Sequence, residues 1–214
     1  MDNKRDSTRQ RILEVAGGIF FSRGFAKVTV DEIAAGLGIS KKTLYQHFAG
    51  KDQLLQAVVR GMINDVATEV EAIVDDERAD FIDQLIGLMR LMTARVSRLS
   101  KQFADDMQRH APDLWREVER FRYQKVMANF GRLVRKGQAA GAIRRDVDPE
   151  LLTVIFTATI QGVVNPQTLA RLPYSASQLF QAVGKTMFIG ILTERAKIVH
   201  FHKLHQLRKE IDRA

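Results

Sequence analysis

Apolar residues recur at intervals of three and four along almost the whole chain, the spacing that gathers them on one face of an α-helix. No convincing run alternates with the period of two expected of a half-buried strand, and no internal repeat appears. The first of the four prolines is Pro112, so nothing interrupts helices in the first half of the chain. The pattern predicts an all-α fold. A first helix opens at Ser7, whose hydroxyl can cap the amides ahead while Gln10 reaches back. It runs through Ile12, Leu13, Ala16, Ile19 and Phe20 and stops at Gly24. A second begins with the same device, Thr29 with Glu32, and carries Val30, Ile33, Ala34 and Leu37 to Gly38. A third runs from Ser40 to Phe48. A much longer one, residues 51–74, places Leu54, Leu55, Val58, Met62, Val66, Val70 and Ile73 at helical spacing. It joins a small N-terminal domain, residues 1–52, to a larger helical domain, residues 53–214. Further helices are expected at 79–97, 100–109, 113–138, 148–164 and 176–195, followed by a basic, His-containing extension.

Composition narrows the picture. With 214 residues, 45% of them apolar, the chain can build a core without staples. It has no cysteine, which removes disulfides, thiolate metal sites and thiol catalysis and fits a reducing cytoplasm. The N-terminal MDNKRDSTRQ lacks the apolar run of a secretory signal. The longest uncharged stretch, 151–170, holds Gln161, Asn165, Pro166, Gln167 and four threonines, too polar for a membrane span, so no membrane partner is expected. A formal charge of +8 points toward an acidic partner such as nucleic acid.

The segment from Val30 to Phe48 makes that partner specific. Two short helices that cross steeply need a small residue where their backbones approach, supplied by Ala34 or Ala35, and a turn residue that tolerates positive φ, supplied by Gly38. Ile33, Leu37, Ile39, Leu44 and Phe48 form a shared apolar seam, closed from behind by Phe20 and Phe25. Projected at helical pitch, Lys42, Thr43 and Gln46 point away from Leu44 and Phe48, and all three can bond base edges in a major groove. Tyr45 and His47 lie on the flanks, suited to phosphate oxygens. Thr29, Ser40, Lys41 and Lys51 bracket the face as further phosphate donors.

Residues 8–55 closely resemble the N-terminal domain of TetR-family regulators, the tetracycline-repressor-like proteins. The likeness rests on Ile12-Leu13, Ala16, Phe20, Gly24-Phe25, Val28-Thr29, Ile33-Ala34, Gly38-Ile39-Ser40, Leu44-Tyr45, His47-Phe48 and Lys51-Asp52 with Leu54, in the family's order and spacing. It departs at Gly36-Leu37, where members often carry another small residue. The resemblance implies a homodimer on a double-stranded operator of two-fold character, a repressor released when a small-molecule effector occupies the C-terminal domain.

Pattern reading offers residues for both tasks. The last two long helices present Leu151, Ile155 and Ala158 on one and Val183, Met187 and Ile191 on the other as a dimer interface. Met89, Met92, Phe103, Met107, Trp115, Tyr123 and Met127 combine apolar bulk with polar tips as a candidate effector pocket. His200, His202 and His205 do not share one helical face, so neither a metal site nor a cofactor is expected. There is no glycine-rich phosphate loop, nucleophile elbow or HExxH pair, and hence no positive sign of an enzyme. The competing reading is a helical interaction or adaptor protein that keeps the fold without specific DNA binding.

Overall fold

A computed structural model describes residues 2–205. Eleven helices are seen among the described residues: α1 (Asp2–Arg23), α2 (Val30–Leu37), α3 (Lys41–Tyr45), α4 (Lys51–Asp75), α5 (Phe81–Ser97), α6 (Lys101–His110), α7 (Pro112–Ala139), α8 (Pro149–Val163), α9 (Pro166–Arg171), α10 (Ala176–Ile191) and α11 (Glu194–Val199). Among those residues there is no strand beyond an isolated antiparallel bridge between Ile143 and Leu192. No helix there is long and apolar enough to cross a membrane. The expected all-α class is what the chain adopts.

Four departures from the sequence pattern exceed one or two residues, each for a local reason. Helix α1 already begins at Asp2, so Ser7 and Gln10 lie inside it, and Gln10 Nε2 reaches forward to Glu14 Oε1 at 3.3 Å rather than back to a cap. Helix α3 closes at Tyr45, three residues early, as the His47 amide tightens onto Leu44 O at 3.0 Å. Helix α9 was not anticipated. Asn165 caps it, its side chain accepting from Thr168 N at 2.9 Å, and Pro166 occupies the first position, where no N–H is required. The run 176–195 breaks after Ile191 because the chain turns to pair with 142–144: Arg144 N donates to Ile191 O at 3.0 Å and Thr193 N to Ala142 O at 2.9 Å. Thr193 then caps α11.

The chain forms two compact units. One comprises Met1–Asp65 and Arg98–Glu119, the other Val66–Ser97 and Arg120–Ala214. The first is built on Ile12, Ala16, Phe20, Phe25, Ile33, Leu44, Phe48 and Leu54, and α6 adds Phe103 and Met107 to the same core. Phe103 meets Phe21 and Phe25 edge-on, with ring centroids 5.1 and 6.2 Å apart. The second unit centres on Phe130, Phe156 and Phe188, three rings within 5.8 Å of one another, among Ile82, Leu85, Leu133 and Ile143. Gln84 and Lys136 bind the carbonyl of Val74 in its interior, satisfying an acceptor that the end of α4 leaves open.

Candidate nucleic-acid interface

Helices α2 and α3 form the helix-turn-helix, and their ends are fixed by side chains the sequence places there. Thr29 Oγ1 accepts from Glu32 N at 3.2 Å and Ser40 Oγ from Thr43 N at 3.0 Å, so each helix starts on a hydroxyl cap. Between them Gly38 turns left-handed at φ +65°. Its N–H reaches Ala35 O at 3.1 Å, and Ile39 N reaches Ala34 O at 3.1 Å, which closes α2 and redirects the chain. Ala34 is buried while Ala35 is exposed, so Ala34 is the small residue at the crossing.

Burial divides α3 and the turn after it. Leu44 and Phe48 are sealed in the core, and Ile33 packs with them, while Leu37 and Ile39 are partly buried against the same cluster. Lys42, Tyr45 and Gln46 are exposed, and Thr43 and His47 half-buried. Thr43 is less free than its position suggests, because its hydroxyl lies 2.8 Å from Ser40 Oγ. Lys41 Nζ bonds Asp31 at 3.0 Å, a strut from α3 to α2, and that hydrogen bond together with the carboxylate charge raises its pKa. Lys42 and Gln46, one helical turn apart, offer an ammonium and an amide to a groove.

Lys51 is engaged inward. Its Nζ donates to the carbonyls of Phe25, Ala26 and Val28 at 3.2, 3.0 and 3.1 Å, so the three donors that sequence reading aimed at phosphate hold the loop before α2. Asp106, on α6, grips the same loop, accepting at Oδ2 from Phe25 N and Ala26 N, both at 2.7 Å. The sequence pattern did not single it out, since an Asp near a helix end reads as solvated. Arg9, also missed, places its guanidinium 5.2 Å from the Phe48 ring centroid.

The pocket candidates are divided between the two units. Phe103 and Met107 belong to the core behind the helix-turn-helix, with Trp115 packed against it. Met89 is buried in the core of the other unit, with Met92 packed against that core. Tyr123 is exposed, and the side chain of Met127 lies outside the described residues. The interface candidates divide as well. On α8, Leu151, Ile155 and Ala158 are exposed together with Val154. On α10, Val183 and Ile191 face their own unit's core and Met187 packs against it, leaving Ala182, Thr186 and Ile189 outside.

Comparison with known proteins adds to this geometry. Residues 12–58 match the pattern of bacterial regulatory proteins of the tetR family. The HTH-type transcriptional repressor KstR2 of Mycobacterium tuberculosis is 30% identical over 152 residues, 69% of this chain and 74% of that protein. YvaF of Bacillus subtilis, an HTH-type transcriptional regulator, is 22% identical over 86% of this chain and 96% of its own length. The structure of KstR2, described as a ketosteroid transcriptional regulator, superposes with a TM-score of 0.56 at 25% identity, covering 87% of this chain and 96% of the other. A TetR-family regulator from Marinobacter aquaeolei shares the fold, with a TM-score of 0.68 at 21% identity over 95% of this chain and 98% of its own.

Proposed function

Because the chain belongs to the tetR family of bacterial regulatory proteins and is a DNA-binding transcriptional regulator, we propose that it acts as a dimeric repressor that a small-molecule effector releases from its operator. The observation that carries the DNA-reading role is the division of α3 and the turn after it: Leu44 and Phe48 are buried while Lys42 and Gln46 stand exposed. In this reading Lys42, Thr43 and Gln46 face bases. Tyr45 and His47 meet phosphates from the flanks, with Thr29, Ser40 and Lys41 beside them. Lys51 contributes by holding the loop before α2. Residues 1–52 supply the reading surface, and residues 53–214 supply dimerisation and response.

The exposed apolar residues of α8 support the dimer. Two recognition helices about 34–36 Å apart would read successive major grooves of a two-fold site. The task needs binding alone, and it places the protein in the cytoplasm with the DNA. Selection from random duplexes with the full chain is the test. A two-fold motif is expected, whereas enrichment of no motif would replace this reading with that of an adaptor that keeps only the fold.

A further inference from the structure

Helix α1 presents Ile12, Ala16 and Phe20 to the core behind the helix-turn-helix, all three fully buried. Arg9 lies three residues before Ile12, so it heads the same stripe, where an apolar residue would continue it. The stripe ends over Phe48: the guanidinium carbon stands over that ring, 5.2 Å from its centroid. Phe48 is 2% exposed and Arg9 is exposed, so the cation lies between the sealed ring and solvent. A cation within ~6 Å of a ring face is held by the quadrupole of the ring. That contact fixes a long side chain in place while engaging none of its N–H donors with an oxygen.

The position is one where a phosphate is expected. A recognition helix sets its N-terminal residues on base edges, so the turn beyond its last residue emerges beside the sugar-phosphate wall of a groove ~12 Å wide. Phe48 sits in that turn, three residues past the end of α3 at Tyr45 and two past the exposed Gln46. Lys51, the cation that sequence reading aimed at the backbone here, is engaged with the carbonyls of Phe25, Ala26 and Val28. We propose that Arg9 binds a DNA phosphate beside the end of α3, with Phe48 as the residue that positions it. The planar fork of a guanidinium matches two phosphate oxygens, and the ring holds that fork ready before DNA arrives. Phe48 thus closes the core with its buried body and orients a donor with its outer face. The contact rests on the DNA-binding role above and adds to it a term that is independent of sequence. The plainer alternative is that the methylene stem of Arg9 only covers the ring, which would stabilise the fold and leave DNA affinity alone.

Fluorescence anisotropy of the full chain from about 50 to 200 mM salt tests it, on the selected duplex and on a scrambled one. Arg9→Met keeps an apolar cover and removes the fork. It should bind both duplexes about tenfold less tightly at the low end, and the slope of log affinity against log salt should flatten by about 0.9 for each protomer bound. Arg9→Lys restores the charge without the fork, so the slope should return while part of the affinity loss remains. Adding Arg9→Met to Phe48→Leu should weaken binding by no more than about threefold, because without the ring the guanidinium is no longer positioned. The two Arg9 variants carry the test alone should Phe48→Leu not fold. An unchanged slope in Arg9→Met, whatever its melting temperature, overturns the proposal. So does a loss confined to the selected duplex, the mark of a base contact. If selection enriched no motif, the base-reading assignment of α3 would fall, while a flattened slope on any duplex would still identify the phosphate contact.

Discussion

Asp106 and Lys51 hold one short stretch of chain by its opposite polarities: the carboxylate takes the N–H groups of Phe25 and Ala26, and the ammonium donates to the carbonyls of the same two residues. The loop between α1 and α2 is therefore satisfied by two side chains from helices distant in sequence. Asp106 is 3% exposed, and Gln102 completes its shell at 2.7 Å. A buried charge is tolerated when its lone pairs are filled, and removing either partner leaves backbone groups orphaned.

Replacing Asp106 with Leu keeps the branched outline, with bulkier methyl groups, and deletes the acceptor for two amides. A loss of about 2–4 kcal/mol is expected, near the cost of two unsatisfied buried donors, which lowers the melting temperature by roughly 5–15 °C for a chain of this size. Calorimetry of the full chain checks it. A melting temperature unchanged from wild type would mean that water replaces the carboxylate and the clamp contributes nothing.

The same carboxyl gives a pH signature. Burial alone would push its pKa up, but the amides of Ala26 and Phe25, the Gln102 side chain and the His110 charge outweigh it, and the net shift is downward. A group with a folded pKa below its unfolded value contributes stability above the unfolded value, near pH ~3.9, and loses it as the pH falls through the folded value. The stability gap between wild type and Asp106→Asn should therefore be present above about pH 5 and narrow below about pH 4. A gap that widened below about pH 4 would reverse the sign argued here.

Gly24 and Gly38 both have positive φ, at 84° and 65°, yet substitution should separate them. A β-carbon at Gly24 would lie 2.5 Å from Asp106 Oδ2 and 2.7 Å from Gln102 Cγ, whereas one at Gly38 would meet nothing within 4 Å. Gly38→Ala should cost about 1–2 kcal/mol, the left-handed penalty alone. Gly24→Ala pays that and also displaces a carboxylate already held by two amides, so its melting temperature should fall further. Equal losses would show that Asp106 yields freely.

The helix-turn-helix was legible because its constraints are local: a cap at Thr29, a left-handed glycine at 38, and Leu44 on a short helix with Phe48 just past its end. What the pattern could not show is partnership across long separations. Nothing around Asp106 announces a contact with Phe25, 81 residues away, and apolar periodicity cannot say that Phe103 and Met107 join the core behind the DNA-reading helices while Met89 joins another. On α10 an apolar stripe was visible, but which stripe meets its own core is decided by neighbouring helices, and Val183, Met187 and Ile191 face inward.

On the reading face, Lys42→Ala and Gln46→Ala should each weaken the selected duplex by about 1–3 kcal/mol and relax preference at one position. Tyr45→Phe should weaken all duplexes alike, as expected of a phosphate contact. Lys42 and Gln46 are exposed and make no core contact, so melting temperatures should stay within about 1–2 °C of wild type. Fluorescence anisotropy at fixed salt checks the set. Identical losses on selected and scrambled duplexes for Lys42→Ala would move that residue from bases to phosphates.

On α8, Leu151, Val154 and Ile155 are 59%, 45% and 47% exposed, at spacings of three and four that place them side by side with Ala158. Scattered exposed apolar residues are ordinary, but a contiguous stripe on a long helix marks a contact surface. Ile189, 47% exposed on α10, supplies apolar surface on the second helix proposed for the interface. An Arg at position 155 would have to be desolvated across a two-fold interface against its own copy, so Ile155→Arg should yield a monomer by light scattering. Its side chain already faces solvent in the protomer, so the helical content should be kept. A monomer engages one half-site at a time and forfeits the second contact, which should reduce operator affinity by about 10²–10⁴-fold while a single half-site binds as before. A dimer that survives Ile155→Arg would place the interface on another face.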